Sequence, residues 1–118
     1  MTTLDSPSIE IRWDGPRATL LINGAESSCI DTSDPSYLDF EYMQHATCAL
    51  QATYAPNDPI RVLHLGGAAC ALPWAWSILF PASRHTVVEI EQTIAQFARD
   101  HFDLPRSPIL KIRIGEAR

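Results

Sequence analysis

With 118 residues, 46% hydrophobic and 19% charged, the chain has the composition of one globular domain and not of a disordered segment. Its net charge of −5 and its lack of a basic cluster argue against duplex nucleic acid and anionic membranes as partners. No signal-peptide pattern opens the chain, and no apolar run approaches the ~18 residues that span a membrane, so we expect a cytoplasmic protein.

The cysteines predict reduced thiols and no metal site. Cys29, Cys48 and Cys70 are widely spaced and odd in number, which does not suit a disulfide framework. No CxxC motif occurs, and no His or Cys pair has the spacing of metal ligands.

Residues 8–31 predict an antiparallel β-meander. Residues 9–13 alternate apolar and polar side chains, which is the period of a half-buried strand. Asp14-Gly15 and Asn23-Gly24 are hairpin turn signals, each followed by a further apolar stretch. A hairpin of this kind is marginally stable alone, so we expect the meander to pack on the rest of the chain.

The remainder predicts one long helix and then alternating strands and helices. Asp34 as N-cap and Pro35 at the first helical position start a helix over residues 36–54. Strands are then predicted at 60–65, 86–91 and 109–114, with one helix over 71–80 and another that ends before Pro105. This alternation is typical of a parallel sheet with right-handed crossovers, and the fold class is α/β. Trp74 and Trp76 lie two residues apart on the first of these helices, so we expect one of them to be exposed.

Three features of this half point to a nucleotide site. Gly66-Gly67 follows a buried strand and precedes a helix, where backbone N–H groups can approach an anionic or polar ligand; a tight turn without a ligand is the alternative. Glu89 lies near the carboxyl end of the next strand, at the spacing that suits a ribose contact, although a role at a helix start is also possible there. Glu116 follows the third strand, either as an adenine contact or as solvated tail.

The histidines favour structural roles. His64 lies inside a buried strand, where a neutral, hydrogen-bonded core histidine is expected rather than a catalytic base. His45, His85 and His101 are predicted to be surface or helix-face residues.

Together these stretches resemble the spermidine synthase-like family, a branch of the class I S-adenosylmethionine-dependent methyltransferase fold. The matching segments are Leu21-Ile-Asn-Gly24, the start of the long helix from Tyr37 to His45, Val62-Leu-His-Leu-Gly-Gly67, Val87-Val-Glu-Ile-Glu91 and Ile114-Gly-Glu-Ala117. The resemblance implies an N-terminal meander over residues 1–33, which assembles homo-oligomers, and a truncated Rossmann-like half-domain over 34–118 with strands in the order 3-2-1.

The resemblance also implies site roles. Gly66 and Gly67 would lie under the amino-acid part of S-adenosylmethionine or decarboxylated S-adenosylmethionine, Glu89 would hold the ribose, and Glu116 would read the adenine. Ala68, Ile90 and Ala117 complete the expected cofactor-binding set, and Tyr37 is a candidate substrate residue.

Several departures from the family pattern lead us to expect binding without catalysis. Ala68 and Ala69 stand where family enzymes have a third glycine and an aspartate that holds the amine substrate. Leu38 replaces the glutamine of a tyrosine-glutamine pair, and Glu116 replaces an aspartate. Family enzymes also continue to a fourth strand that carries the acids activating the amine, so no catalytic residue is assigned.

Two functions therefore compete, with a third reading less supported. The first is the N-terminal region of a spermidine synthase-like transferase, binding a small thioether nucleoside of polyamine biosynthesis. The second is a cofactor-free homo-oligomeric interaction module, because the strand at residues 62–65 would be an apolar sheet edge without a fourth strand beside it. A complete small enzyme has the least support, because no nucleophile–base pair can be assembled from the sequence.

Overall fold

The N-terminal segment forms the predicted antiparallel meander. The computed structural model describes residues 8–66 and 70–115. Three strands, β1 (Ile9–Asp14), β2 (Arg17–Ile22) and β3 (Ala25–Asp31), pair in the order β1-β2-β3. The turns between them place Gly15, Asn23 and Gly24 at positive φ, as the two hairpin signals predict. The first part of the α/β prediction is confirmed.

The second part contains three helices and a parallel three-stranded sheet. In chain order the elements are α1 (Glu41–Thr53), β4 (Arg61–Leu65), α2 (Ala71–Leu79), β5 (Arg84–Glu89), α3 (Gln92–His101) and β6 (Leu110–Ile114). The strands pair in the order β4-β5-β6, all parallel. Counted from β6, this is the predicted 3-2-1 order, so that prediction is confirmed.

The predicted start of the long helix is wrong. Helix α1 begins at Glu41, whereas the sequence pattern placed it at residue 36 with Asp34 as its N-cap. The Asp34 carboxylate instead accepts hydrogen bonds from the backbone N–H and the hydroxyl of Ser36, which closes a local turn. Residue Phe40 occupies the N-cap position without a side-chain hydrogen bond. Segment 34–40 is therefore turn and loop.

Helix α2 lies between the two sheets and joins their cores. It contacts β3 of the meander on one side and β5 and β6 on the other. Trp74 and Trp76 are consequently both buried, with 9% and 8% of their surface exposed, so the expectation that one of them is exposed was wrong. Ala18 of β2 and Val87 of β5 belong to the same hydrophobic cluster as these tryptophans. The meander and the parallel sheet therefore share one core.

Candidate functional site

A cavity of about 560 Å³ opens beside the carboxyl ends of β4 and β5. The meander, α1, α2, α3 and both strands contribute to its wall, whose described residues are Ile22, Ser27, Ser28, Tyr42, Met43, His64, Leu65, Gly66, Leu72, Pro73, Glu89 and Ile94. The carboxyl ends of parallel strands are where α/β sheets bind ligands. The structure thus brings two sequence-predicted site residues, Gly66 and Glu89, to one cavity.

Gly66 is required by its backbone conformation. It leaves β4 with a φ of 78°, in the left-handed region that side chains with a Cβ disfavour. A Cβ at this position would meet no atom within 4 Å, so space is not the constraint. The Gly66 N–H donates to the Val88 carbonyl at 2.8 Å, which ties the end of β4 to β5.

The Glu89 carboxylate is held at the cavity wall. Glu89 is the last residue of β5 and has only 8% of its surface exposed. Its Oε2 accepts the backbone N–H of Glu91 at 3.1 Å, an interaction of the kind that fixes a carboxylate at the start of a helix. A fixed carboxylate at a cavity wall is a strong acceptor for hydroxyl groups of a ligand.

The remaining predicted cofactor and substrate residues have other positions. Gly67, Ala68, Glu116 and Ala117 lie outside the described residues. Ile90 is 63% exposed and is not part of the cavity wall. Tyr37 lies in the loop before α1, where the Arg17 guanidinium stands 4.7 Å from its ring centre, and it does not line the cavity either. Its position follows from the later start of α1.

Sequence reasoning did not predict Tyr42, Ser28 or His64 as residues of the cavity wall. Tyr42 is on the first turn of α1, which is held in place by the Trp76 indole N–H donating to Thr47 Oγ1 at 2.8 Å. The Ser28 hydroxyl is buried and has no hydrogen-bond partner within the described part of the chain. The alternation of β3 could have placed Ser28 on the inner face, but a serine flanked by serine and cysteine carries little pattern.

His64 belongs to a buried hydrogen-bonded chain that the sequence did not predict. His64 Nε2 lies 3.0 Å from His85 Nδ1, and His85 Nε2 lies 2.7 Å from the Ser83 hydroxyl. Because that hydroxyl donates to the Phe80 carbonyl at 2.6 Å, it accepts from His85 Nε2–H. His85 Nδ1 is then an acceptor, and His64 Nε2–H donates to it. This relay of neutral rings leaves no donor facing another donor.

Burial lowers the pKa of both rings. The pKa of His64 falls from 6.5 to about 4, first through loss of hydration and second through the neighbouring His85. The pKa of His85 also falls to about 4 through burial. The core role expected for His64 is confirmed, whereas the surface position expected for His85 is wrong, because His85 is 1% exposed. It sits on the inner face of β5 and faces the helices.

The described ranges were also compared with the requirements of metal binding, thiol chemistry and membrane insertion. Residues 8–66 and 70–115 contain no group of three or more His, Cys, Asp or Glu side chains placed to hold a metal ion. Cys29 and Cys70 are buried and unpaired, and burial raises the pKa of Cys70 to about 12, which keeps its thiol protonated. Among the helices described, none has the length and apolar character to cross a lipid bilayer.

Comparison with known proteins identifies the kind of chain to which this site belongs. No family model matches the sequence, and a comparison with curated proteins gives no match. Among solved structures, the chain is similar to a probable spermidine synthase from Corynebacterium glutamicum ATCC 13032, with 33% sequence identity and a TM-score of 0.85. The match covers 98% of this chain and 46% of that protein, so this chain spans about half the length of its relative. The comparison therefore supports a spermidine synthase-like N-terminal portion, with the α/β fold described above.

Proposed function

We propose that the cavity binds a thioether or sulfonium nucleoside, namely S-adenosylmethionine, its decarboxylated form or the thioether product. The observation that carries this proposal is the convergence of Gly66 and Glu89 on one cavity at the carboxyl ends of adjacent parallel strands. The solved relative is described as a probable spermidine synthase, which is consistent with a ligand of this class.

The chemistry of the wall supports such a ligand. A volume of about 560 Å³ lies within the range of small-molecule sites. The Glu89 carboxylate offers acceptors for a ribose diol and a negative charge for a sulfonium centre, while Met43, Leu72 and Ile94 provide apolar surface for a purine and a thioether. Ser28 adds a buried hydroxyl that a polar atom of the ligand can engage.

We propose binding, and not group transfer, as the activity of this chain alone. Glu89 is the one carboxylate in the described wall of the cavity, and the ribose role already assigned to it leaves it unsuited to activating an amine. The family resemblance adds Gly67 beneath the amino-acid part and Glu116 at the adenine. On the same resemblance we propose a ligand of cytoplasmic polyamine biosynthesis and Tyr37 as a substrate residue.

The ligand assignment is testable by titration calorimetry with S-adenosylmethionine, decarboxylated S-adenosylmethionine and methylthioadenosine. We expect at least one of them to bind with a Kd of about 1 mM or tighter. Glu89→Gln should weaken that binding by ~1.5–3 kcal/mol, because it removes a charged hydrogen-bond acceptor while keeping the shape of the side chain. The Kd values of the unchanged and Glu89→Gln proteins, both from calorimetry, give this difference in binding free energy.

Glu91→Gln is the matched control for Glu89→Gln. It removes the same charge two residues along the chain, from an exposed side chain that does not line the cavity. We expect its Kd to equal that of the unchanged protein. Absence of heat with all three ligands well above millimolar concentration, or equal affinity of the Glu89→Gln protein, would rule out the proposed site.

A second candidate function, homo-oligomeric assembly, is favoured by the edge of the parallel sheet. Strand β4 pairs only with β5 in the described sheet, and its Leu63 and Leu65 are each 61% exposed. The opposite edge strand, β6, carries Lys111 and Arg113, and charged side chains of this kind discourage pairing with another chain. We propose that two copies associate through β4, through the meander, or through both.

Light scattering at high micromolar concentration tests this association. We expect a dimer or larger species, converted towards monomer by Leu63→Lys, because a lysine on the edge strand opposes pairing. Ile78→Lys, a change at a 44% exposed residue of α2, is the control for adding a charge to exposed apolar surface and should leave the mass unchanged. A monomeric mass for the unchanged protein contradicts the proposal.

A further inference from the structure

The buried hydrogen-bonded chain from His64 to the Phe80 carbonyl runs in one direction. The Ser83 hydroxyl donates to that carbonyl and therefore accepts from His85 Nε2–H, while His85 Nδ1 accepts from His64 Nε2–H. Reversing the chain would take the Ser83 proton away from the Phe80 carbonyl, which cannot donate. The carbonyl thus determines the tautomer of both rings, because the proton on one imidazole nitrogen is set by the hydrogen bond at the other.

His64 Nδ1 is consequently a nitrogen lone pair, and it is open to the cavity. His85 is 1% exposed and does not line the cavity, so the Nε2 atom of His64 points into the core. The Nδ1 atom has no hydrogen bond within the described part of the chain. It is not enclosed, since Ser28 Oγ is the one described side-chain nitrogen or oxygen that is both enclosed and unpaired. Because His64 lines the cavity, its ring presents an acceptor there.

The rest of the described cavity wall makes this acceptor selective. It contains the Glu89 carboxylate and no lysine or arginine. A lone pair and a carboxylate both attract N–H and O–H donors, and both disfavour a carboxylate of the ligand. Loss of hydration lowers the pKa of His64 and of His85 to about 4, so neither ring is cationic at pH 7. The tautomer of His64, and not a charge on it, then determines which ligand group it binds.

We propose that His64 Nδ1 accepts a hydrogen bond from an N–H or O–H group of the bound nucleoside, and that His85 and Ser83 are positioning residues that keep it an acceptor. This inference rests on the ligand class proposed for the cavity and adds a specificity contact to it. Each hydrogen bond of the chain polarises the next, which strengthens the acceptor at the cavity end. A ligand group that only accepts, such as a carboxylate, is disfavoured at this point.

Nitrogen NMR of the unliganded protein tests the direction of the chain. Long-range proton–nitrogen correlation spectra separate a ring nitrogen that carries a proton from one that holds a lone pair. We expect His64 and His85 both as the Nε2–H tautomer at pH 7. Ser83→Ala removes the acceptor of His85 Nε2–H and should give mixed tautomers, and Ser83→Thr, which keeps the hydroxyl, should restore a single one. A proton on His64 Nδ1 in the unchanged protein overturns the proposal.

Two substitutions of His64 separate its acceptor from its bond to His85. His64→Gln places an amide N–H near the position of Nε2, which keeps the bond to His85 but removes the acceptor at Nδ1. His64→Asn places an amide oxygen near the position of Nδ1, which keeps the acceptor and loses the bond to His85. We expect His64→Gln to weaken nucleoside binding by about tenfold or more, measured by calorimetry, and His64→Asn to weaken it less. His101→Gln, at an exposed histidine of α3, should leave the Kd unchanged.

Comparison of two ligands identifies the group that donates to His64. If it is the terminal amine, His64→Gln weakens decarboxylated S-adenosylmethionine but not methylthioadenosine, which lacks that amine. If it belongs to the ribose or the adenine, the substitution weakens both ligands by the same factor. Either pattern supports the proposal. Equal Kd values of the His64→Gln and unchanged proteins for both ligands contradict it, and circular dichroism shows whether each variant is folded.

A probe without a nucleoside separates this inference from the ligand class on which it rests. Propylammonium offers N–H donors, and propionate, of similar size, offers only acceptors. We expect propylammonium at high millimolar concentration to shift the nitrogen resonance of His64 Nδ1, and propionate to leave it unchanged. If no nucleoside binds and propylammonium gives the shift, the proposed nucleoside ligand is wrong and the His64 acceptor stands. If no nucleoside binds and propylammonium gives no shift, the acceptor is overturned as well.

Discussion

Lowering the pH from 7 to 4.5 is expected to reduce the free energy of unfolding by about 5 kcal/mol. The cause is the buried relay from His64 to His85, whose rings have pKa values of about 4 in the folded chain against 6.5 without burial. Between pH 6.5 and 4, His64 and His85 bind protons in the unfolded chain but not in the folded chain. Stability is therefore complete above pH 6.5 and is lost progressively as the pH falls towards 4.

Urea denaturation at a series of pH values measures this effect. The variants His45→Gln and His101→Gln remove exposed histidines and should leave the pH dependence intact. His64→Gln shortens the relay by one ring and should flatten the curve between pH 6.5 and 4.5, whatever its stability at pH 7. A free energy of unfolding that changes by less than about 1 kcal/mol over this range would show that the rings accept protons in place.

Gly66→Ala is expected to lower the free energy of unfolding by about 1–3 kcal/mol, because an alanine must adopt the left-handed conformation at a φ of 78°. A steric clash does not contribute, since the added methyl group meets no atom within 4 Å. The same change should weaken ligand binding if the end of β4 shifts to relieve the strain, because the glycine lines the cavity.

Gly115→Ala provides a matched control for this substitution. Gly115 also follows a strand of the parallel sheet, its N–H also donates to a neighbouring strand at the Glu89 carbonyl, and its added Cβ also meets nothing within 4 Å. Its φ is not positive. We therefore expect a neutral or slightly stabilising effect, up to about 1 kcal/mol, from reduced freedom of the unfolded chain. Equal losses at both glycines, measured by urea denaturation, would disprove the role of backbone strain at Gly66.

Local patterns predicted most of the fold. The alternation and hairpin turns of residues 8–31 and the strand–helix alternation after residue 60 each depend on short-range preferences that the tertiary structure preserves. The prediction of where α1 starts failed because the Asp34 side chain can cap a helix N-terminus or close a local turn. Its hydrogen bond with Ser36 favours the turn. The prediction that one of the two tryptophans is exposed failed for another reason. Helix periodicity does not reveal that α2 is enclosed from two sides.

The candidate site was predicted where one strand end or turn determines it. Gly66 and Glu89 follow from the ends of β4 and β5, which the sequence placed nearly correctly. Tyr42 and Ser28 come to the cavity from other elements, and only the packing of α1 and the meander on the sheet shows this. His85 was assigned to the surface because the predicted strand started at residue 86, while β5 starts at Arg84. An error of two residues in the start of the strand therefore assigned a core residue, His85, to a loop.

The two sheets differ in the length of chain that each strand pairing must close. In the meander, Asp14 pairs with Arg17 across a tight turn, so its hydrogen bonds form between near neighbours. In the parallel sheet, Arg61 pairs with Arg84 and His85 with Leu110, and each pairing encloses a whole helix. Closing longer loops costs more chain entropy and slows folding. Because α2 lies inside the first of these long loops and contacts β3 of the meander, we expect the hairpins to gain their apolar cover only when the parallel sheet closes.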